Sequence, residues 1–332
     1  MKQIIDTPNH PQALAVKNVQ VDEESAGQRL DNFLMRHLKG VPKTHVYRII
    51  RTGEVRINKG RANADTRVQT GDLVRVPPLR MATAQADAPP VPGREFPVLM
   101  EDDQMLAIDK PAGVAVHGGS GVSFGVIEQL RQARPGARML ELVHRLDRET
   151  SGVLLVAKKR SALTRLQDQF RDRETGKTYL ALVKGQWPSN KKVIDLPLQR
   201  YLIPNGAGEG ERRVRIAAKD DANAQRAITL VKVARLVGDY SLLEVTIKTG
   251  RTHQIRVHLA SQGYPIVGDD KYGDFDSNKR VASQGLKRMF LHAWRLQFVH
   301  PHTGRSETVQ AALPDELQDF IDHVQPPPLA QI

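Results

Sequence analysis

"HRLDRETSGVLLVAKK", residues 144–159, joins a charged segment directly to one of the most apolar stretches of the chain. Its second half, VLLVA at 153–157, shows no polar alternation, which predicts a strand buried on both faces. The charged residues before that strand have two interpretations. Either they form an ordinary turn, in which Asp147 or Thr150 bonds nearby backbone amides and Gly152 relieves the bend, or they place chemistry at the mouth of the strand.

The composition describes an ordinary globular protein. A chain of 332 residues with 40% hydrophobic and 26% charged residues predicts about two domains. The absence of cysteine excludes disulfides, thiolate nucleophiles and cysteine-based zinc sites. No uncharged apolar run approaches the roughly 18 residues of a membrane span, and the first 25 residues lack the apolar core of a signal peptide. We therefore expect a cytoplasmic protein that has no membrane partner.

Positive charge is concentrated near the N-terminus. The net charge is +12, and residues 27–80 alone hold 12 basic against 4 acidic residues. A surplus this local favours a polyanionic partner, most often nucleic acid, over a basic surface that serves only solubility.

The same residues, 27–80, predict a compact unit of two short helices followed by a small sheet. Three runs within it, RLDNFL (29–34), IIRTGEVRIN (49–58) and GDLV (71–74), resemble the S4-type RNA-binding domain in order and spacing. The resemblance implies a small α/β domain that contacts RNA through four basic side chains. These side chains are Lys43, Arg48, Arg51 and Arg56.

The remaining boundaries follow from composition. Residues 1–26 are predicted to form an N-terminal extension, and residues 81–95, rich in proline and alanine, a linker. From 96 to 325 the chain mixes buried or alternating runs with helical stripes and lacks a regular strand–helix rhythm. We therefore expect an α+β domain on a mixed, largely antiparallel sheet. Residues 326–332 are predicted to form a frayed tail.

A second polar constellation lies at TIKTGRTHQIRVHLASQGYP, residues 246–265. It predicts a strand, a turn at Gly250 and a helix that ends at Gly263. Basic and amide side chains cluster around the start of this helix, where anions are favoured. The two histidines, His253 and His258, are five residues apart, a poor spacing for two ligands of one metal on a helix.

Two other runs are interpreted as structural loops without a binding role. GDDKYGDFD (268–276) lacks the spacing of a calcium loop and is interpreted as a solvated acidic loop. HGGSG (117–121) lacks the strand-to-helix context of a phosphate-binding loop and is interpreted as a glycine turn. We expect neither a metal nor a cofactor.

The ordered motifs together resemble the RluA-type pseudouridine synthases over essentially the whole chain. The motifs are DKPAGVAVH (109–117), HRLDRETSGVLLVAK (144–158), KTYLALV (177–183), TGRTHQIRVHL (249–259) and FLHA (290–293). The resemblance implies the pseudouridine synthase fold for the second domain and an isomerase that converts uridine in RNA to pseudouridine. The runs at 116–131 and 140–163 are most similar to the branch of the family that acts on large-subunit rRNA. They imply 23S rRNA or its precursor as the partner of a monomeric enzyme.

The resemblance also implies roles for individual residues. Asp147 matches the catalytic aspartate, which must be ionised to act on the nucleotide. Burial against an apolar strand would protonate it, and an adjacent fixed cation reverses this effect. Arg256 matches that cation, and its planar fork suits a carboxylate. Tyr179 matches the tyrosine that stacks on the uracil and assists C5 deprotonation.

Other matched residues would hold the RNA. The reacting atoms of a stacked uridine are unreachable, so the nucleotide must flip out of its helix. Arg145 matches the residue that fills the vacated space, and Leu291 matches an apolar contact beneath the base. We also predict RNA contacts for His144, Arg251, His253 and Gln254. The sequence leaves open whether the aspartate attacks C1′, attacks C6 or abstracts a sugar proton.

Two other functions were weighed against an isomerase. A non-catalytic RNA-binding or ribosome assembly factor could keep this fold, and loss of Asp147, Tyr179 or Arg256 would have favoured it. A hydrolase of the glycosidic bond needs a second carboxylate to activate water. Glu149 is the only nearby candidate, and we interpret it as a surface residue.

Overall fold

The structure, a computed structural model, describes residues 16–23, 25–38, 41–79, 91–118, 122, 124–203, 211–218 and 221–323. The chain divides into two compact units, Met1–Pro90 and Val91–Ile332. The predicted tail, the glycines of the HGGSG run after Gly118, and most of the predicted N-terminal extension and linker lie outside the described residues. Within the described ranges no helix is long and apolar enough to cross a membrane.

The N-terminal unit contains two helices on a small antiparallel sheet. Its elements are β1 (Lys17–Gln20), α1 (Leu30–His37), α2 (Lys43–Arg51), β2 (Arg56–Ile57), β3 (Gly60–Arg61) and β4 (Leu73–Val76). Phe33 and Leu34 of α1 meet Val46 and Ile49 of α2 in one buried cluster, because residues three and four apart share one face of a helix. The predicted sequence of helix, helix and sheet is confirmed in this unit.

The first strand lies inside the predicted N-terminal extension. β1 pairs antiparallel with β4, with Val19 opposite Val74, and the sheet order is β1-β4-β2-β3. The sheet therefore begins ten residues before the predicted start of the domain at residue 27. The physical reason is that KNVQ gains its strand conformation from its partner strand and not from its own pattern.

The C-terminal unit is built around a large sheet. Its strands are β5 (Val98–Glu101), β6 (Met105–Lys110), β7 (Glu141–Leu142), β8 (Ser151–Ala157), β9 (Gly176–Lys184), β10 (Val193–Asp195), β11 (Leu198–Ile203), β12 (Glu211–Ile216), β13 (Ile228–Val237), β14 (Tyr240–Ile247), β15 (Leu291–Val299) and β16 (Ser306–Gln310). Its helices are α3 (Val126–Ala133), α4 (Arg160–Asp172), α5 (Gln254–Ser261), α6 (Phe275–Ser283) and α7 (Asp315–His323).

Ten of these strands form one sheet with the main order β10-β13-β14-β9-β15-β8-β6-β5, and β7 and β16 pair with β8 and β15. The strand pairs of this sheet are antiparallel except for β8 with β15, among the described residues. β11 and β12 form a separate hairpin. The predicted α+β class with a mixed, largely antiparallel sheet is confirmed.

Strand β8 is buried along its whole length, as its apolar sequence predicts. Val153 and Leu155 pack into one hydrophobic cluster, and Leu154 and Val156 pack into another. Successive side chains of a strand point to opposite faces, so β8 separates two cores. Each such side chain contributes roughly 1.5–3 kcal/mol through burial, which fixes the strand and the loop that leads into it.

Gly152 allows β8 to approach β15 closely. Its φ is +110°, and a Cβ atom at this position would lie 2.2 Å from the carbonyl oxygen of Ala293. Only glycine tolerates both conditions. Just before it, the amide of Thr150 donates to the carbonyl of Asp147 and closes a turn. The backbone of the opening peptide therefore does form a turn, and this turn sets the direction of the Asp147 side chain.

Candidate active site

A cleft of about 480 Å³ opens in the C-terminal unit between the loop before β8, the first part of β9 and the loop that joins β14 to α5. Folding brings together here all the site residues that the sequence predicts for this unit. They are His144, Arg145, Asp147, Tyr179, Arg251, His253, Gln254, Arg256 and Leu291. Asp147 is the only carboxylate among the residues that line the cleft in the described part of the chain.

The Asp147 side chain is 21% exposed and faces two nitrogen atoms. Its Oδ2 lies 3.6 Å from Nη1 of Arg256 and 3.8 Å from Nε2 of His253. Within the described ranges, no hydrogen bond joins its carboxylate to another group, so its lone pairs remain available to a molecule in the cleft.

Arg256 is a buried cation on α5, with a side chain that is 3% exposed. Its Nε and Nη2 each donate a 2.7 Å hydrogen bond to the carboxylate of Asp269, and Nη2 also donates to Asp270 at 3.1 Å. Burial alone would lower the pKa of Arg256, but the hydrogen bonds and charge of Asp269 outweigh burial and raise it. The guanidinium is therefore a permanent positive charge beside Asp147.

The two-pronged edge of the Arg256 guanidinium does not hydrogen-bond to Asp147, contrary to the sequence-based expectation. Both prongs bind Asp269, and only Nη1 is left to face Asp147. An arginine offers donors on several edges of its plane, so it can bind one carboxylate in two-pronged fashion and present a third nitrogen to another. The pairing depends on which acid the fold brings closer.

His253 precedes α5 in a left-handed conformation, with φ +53°. Its Nδ1 lies 2.9 Å from the hydroxyl of Tyr272, and that hydroxyl accepts the amide hydrogen of Val214 at 3.0 Å. We assign the ring proton to Nε2, because the Asp147 carboxylate faces that nitrogen and the Tyr272 hydroxyl can then donate to Nδ1. Burial lowers the pKa of His253 and keeps the ring neutral at pH 7.

Tyr179 lies on β9 and packs against two hydrophobic clusters, one that contains Ile255 and Leu291 and one that contains Leu146 and Leu154. Burial first, and the charge of Asp147 second, raise the pKa of its phenol above the ordinary value. Tyr179 is therefore a neutral phenol, and its tyrosinate form, which would be the stronger proton acceptor, is disfavoured.

Comparisons with known proteins point to one family. The family model for RNA pseudouridylate synthases matches residues 104–261, and the S4 domain model matches residues 28–74. The ribosomal large subunit pseudouridine synthase C of Haemophilus influenzae is 47% identical over 317 residues, which are 94% of this chain and 96% of the relative. Its namesake from Salmonella typhi is 48% identical over 315 residues, 93% of this chain and 96% of the relative.

The chain belongs to the RNA pseudouridylate synthase family.

A solved structure agrees with this membership. Human RNA pseudouridylate synthase domain containing 4 is 26% identical and superimposes with a TM-score of 0.56, over 68% of this chain and 92% of that protein. The RluA-type resemblance, the S4 resemblance and the isomerase class predicted from the sequence are confirmed.

In this pseudouridine synthase family member, two predicted RNA contacts have their side chains at the cleft without a charged partner. Arg145 is exposed and forms no ion pair among the described residues, and the guanidinium of Arg251 donates to the carbonyl of Arg226 at 3.4 Å, with no acid paired to it in the same ranges. Leu291 is 3% exposed and packs in the same cluster as Tyr179. Cations and an apolar floor are thus available to a nucleotide.

His144 does not offer a charge to RNA, although the sequence placed it among the RNA contacts. Its ring stacks on Phe170 at 4.6 Å, and its Nε2 accepts the amide hydrogen of Leu155 at 3.1 Å. Desolvation, helped by the positive charge of Lys177, lowers the pKa of His144 to about 3. The neutral ring therefore anchors the loop before β8 to the strand.

Gln254 is likewise committed to the protein. It is 2% exposed, its side-chain oxygen accepts from Thr249 and the amide of Arg251, and its side-chain nitrogen donates to Ile228 and Thr229. Both side-chain donors and both acceptor sites of the amide oxygen are used, so Gln254 stabilises the turn before α5 and has no donor left for RNA.

The interpretation of residues 268–276 as a solvated acidic loop is wrong for two of its members. Asp269 is 0% exposed, and its Oδ1 also accepts the amides of Lys271 and Tyr272 at 2.8 and 3.0 Å. Asp274 caps α6 by accepting from the Ser277 amide. Only Asp276, 95% exposed, fits the interpretation fully.

Sequence reasoning missed Asp269 and Tyr272, which hold Arg256 and His253 in place. The signal available in the sequence was Tyr272, an aromatic residue two positions after the acidic pair, because an aromatic ring usually packs against the protein. Gly268 in that loop has φ +77°, and a Cβ there would lie 2.1 Å from the Arg288 carbonyl oxygen. The loop is therefore packed tightly.

The S4 domain presents its predicted contacts on one exposed helix and one strand. Arg48 and Arg51 of α2 are exposed on the face opposite its buried residues, Lys43 is exposed at the start of the helix, and Arg56 is exposed on β2. The sequence did not reveal two further arginines that the sheet sets beside Arg56. In register, Arg56 lies opposite Arg61 on β3 and Arg75 on β4. Like charges placed side by side favour an anionic partner.

Proposed function

We propose that the protein is a ribosomal RNA pseudouridine synthase that isomerises specific uridines of 23S rRNA, in mature or precursor form, through Asp147. One observation carries the catalytic assignment: among the described residues that line the cleft, Asp147 is the single carboxylate, and it lies beside a permanent cation. The relatives named ribosomal large subunit pseudouridine synthase C support the substrate, and the S4 domain supports RNA binding.

The reaction needs little beyond one ionised carboxylate. The bond from uracil N1 to ribose C1′ breaks, the base turns, and C5 bonds to C1′. The C5 proton leaves to solvent and N1 takes up a proton, so atoms and electrons balance without an oxidant. Asp147 acts by attack on C1′, by attack on C6 or by abstraction of a sugar proton, and each route uses its anionic form.

Two neighbours stabilise the Asp147 anion. Arg256 supplies a full positive charge at 3.6 Å, and the neutral ring of His253 directs its Nε2–H toward the same oxygen from 3.8 Å. Both distances exceed a normal hydrogen bond. They therefore stabilise the charge while leaving the oxygen free to react with the sugar or the base.

The uracil contacts apolar side chains in this proposal. Tyr179 stacks on the ring as a neutral phenol, and Leu291, in the same cluster, makes the apolar contact beneath the base. Arg145, exposed at the rim of the cleft, fills the space that the flipped uridine leaves in its helix. Arg251 contacts the adjacent backbone, and Lys43, Arg48, Arg51 and Arg56 of the S4 domain bind more distant RNA.

A hydrolase is disfavoured by the position of Glu149. This residue does not line the cleft with Asp147 but a separate cavity, which it shares with Lys110. A second carboxylate to activate water is thus missing from the described part of the cleft.

We further propose that the enzyme works in the cytoplasm, as a monomer and without a cofactor.

The proposal is tested by deletion of the gene and mapping of pseudouridines in rRNA with carbodiimide-dependent reverse-transcription stops. Specific large-subunit stops should vanish and should return with the wild-type gene but not with Asp147→Asn, which keeps the side-chain shape and removes the charge. Stops that return with Asp147→Asn would overturn the catalytic assignment. Loss of only tRNA or small-subunit stops would overturn the substrate.

A further inference from the structure

One wall of the cleft carries three cations that the proposed chemistry does not use. Lys177 lies on β9, opposite Ile247, the last residue of β14. Lys248 is the next residue after Ile247 and is therefore close to Lys177. Arg173 ends α4 in a left-handed conformation, with φ +66°. All three line the cleft.

Lys177 is buried without a counter-ion. It is 8% exposed, its Nζ donates to the hydroxyl of Thr175 at 2.9 Å, and it lies 5.3 Å above the ring of Phe170. Among the described residues no carboxylate pairs with it. An ammonium has three donors, and a buried charge without a partner is costly.

The neighbouring charges make this arrangement less favourable still. Burial first, and then the positive charges of Arg173 and Lys248, lower the pKa of Lys177. Two other cations of the cleft have acidic partners: Arg256 binds Asp269, and Arg171 pairs with Asp168 at 2.7 Å. No acid pairs with Arg173, Lys177 or Lys248 in the described part of the chain, and the charges of Arg173 and Lys248 act on Lys177. A cluster of like charges without an acid is the arrangement expected where the neutralising anion comes from outside.

We infer that Arg173, Lys177 and Lys248 form a subsite for a backbone phosphodiester of the RNA, next to the flipped nucleotide. The inference rests on the proposed function for the identity of the anion. A phosphodiester carries one negative charge and two free oxygens, so it can accept the unused donors of Lys177 and neutralise the cluster. The subsite acts in binding and takes no part in bond breaking.

The test compares Lys177→Met and Lys248→Met with the control Lys279→Met, an exposed lysine of α6 that does not line the cleft. Methionine keeps the apolar stem over Phe170 and removes the charge. The first readout is tritium release from a 23S transcript labelled at uridine C5. KM should rise roughly tenfold in each cleft variant, kcat should change little, and the control should match the wild type.

The second readout is filter binding of the same transcript over a range of salt concentrations. Each cleft variant should lose about 0.7 from the log–log slope, the value for one contact to single-stranded RNA. Because Lys248 is exposed, its variant remains informative if Lys177→Met folds poorly.

An unchanged KM and salt slope in Lys248→Met and in folded Lys177→Met would overturn the subsite while the wild-type activity still supports the function. Absence of tritium release from the wild type would instead overturn the proposed function. The salt slopes do not depend on turnover, and they would then decide by themselves whether these cations bind RNA.

Discussion

Arg256 reaches Asp269 with two hydrogen bonds of 2.7 Å, whereas its contact with Asp147 is a single approach of 3.6 Å. The two aspartates therefore have different relations to one cation. Asp269 is wholly buried and fixes the plane of the guanidinium. Asp147 is partly exposed and interacts with the positive charge of Arg256 without a hydrogen bond to it. Such a division lets a strong ion pair hold the cation still without occupying the reactive carboxylate.

Asp269→Asn should reduce both stability and turnover. Breaking a buried ion pair from one side costs about 3–5 kcal/mol, and a misplaced guanidinium should lower kcat on the order of 100-fold. Asp270→Asn is the matched control, because Asp270 contacts the same nitrogen at 3.1 Å but is 66% exposed. Urea denaturation and tritium release should separate the two variants. Equal effects would contradict the anchoring role of Asp269.

Arg256→Lys should be nearly inactive although it keeps the charge. A single ammonium cannot donate two hydrogen bonds to Asp269 in the plane of the fork and also face Asp147. We expect kcat to fall on the order of 100-fold with KM little changed, because Arg256 is 3% exposed and not a surface contact. Arg251→Lys is the comparison, and its effect should fall on KM. Near wild-type kcat in Arg256→Lys would rule out the geometric argument.

Gly152→Ala should destabilise the C-terminal unit by more than about 3 kcal/mol, from backbone strain and overpacking together. The added Cβ would meet the Ala293 carbonyl oxygen at 2.2 Å in a backbone with φ +110°. Gly136→Ala serves as control, since a Cβ there meets no atom within 4 Å. Urea midpoints and slopes give the comparison. A Gly152→Ala protein as stable as Gly136→Ala would contradict the close packing of β8 on β15.

Stability should fall in acid partly through His144. Its pKa in the folded protein is about 3, below the unfolded value of about 6.5, so the unfolded chain binds more protons between these pH values. The stability contribution is full above pH 6.5 and decreases as pH falls toward 3, by at most about 1.4 kcal/mol per pH unit. In His144→Gln, whose side chain does not titrate, the decrease of Tm between pH 6.5 and 4.5 should be shallower. Parallel curves would contradict the assignment.

The arginines of the S4 sheet should bind phosphates. Arg56→Gln and Arg61→Gln should each lower the salt dependence of RNA binding by about 0.7–0.9 in log–log slope and leave kcat unchanged. Arg235→Gln is the control, because Arg235 lies in the other unit and pairs with Asp322 at 3.2 Å. Identical slopes for all three variants would show that the surplus charge of this domain faces solvent.

The sequence predicted which charged groups meet where a motif keeps them next to an apolar strand or a helix start. The family resemblance singled out Asp147 and Arg256, and the structure places both in one cleft, while their roles stay predictions. The sequence did not predict which acid Arg256 binds. That acid is Asp269, and its place is set by a tight loop whose position depends on tertiary packing. The partners of His144 also depend on folding: Leu155 comes next to it only when the loop turns back along β8, and Phe170 belongs to α4.

The fold was predicted best where burial is expressed locally. The apolar run of β8 is recognisable without its partner strands. β1 was missed because KNVQ has no strong pattern of its own and becomes a strand only beside β4.

The parallel pairing of β8 with β15 has a consequence for how the protein refolds. Ser151 and His292 face each other across that pair and share a hydrogen bond of 2.9 Å, yet 141 positions separate them in the chain. Contacts between such distant segments form slowly, because a long loop must close first. The loop that carries Asp147 leads into this pair, so recovery of enzymatic activity after dilution from denaturant should lag behind recovery of the far-ultraviolet circular dichroism signal.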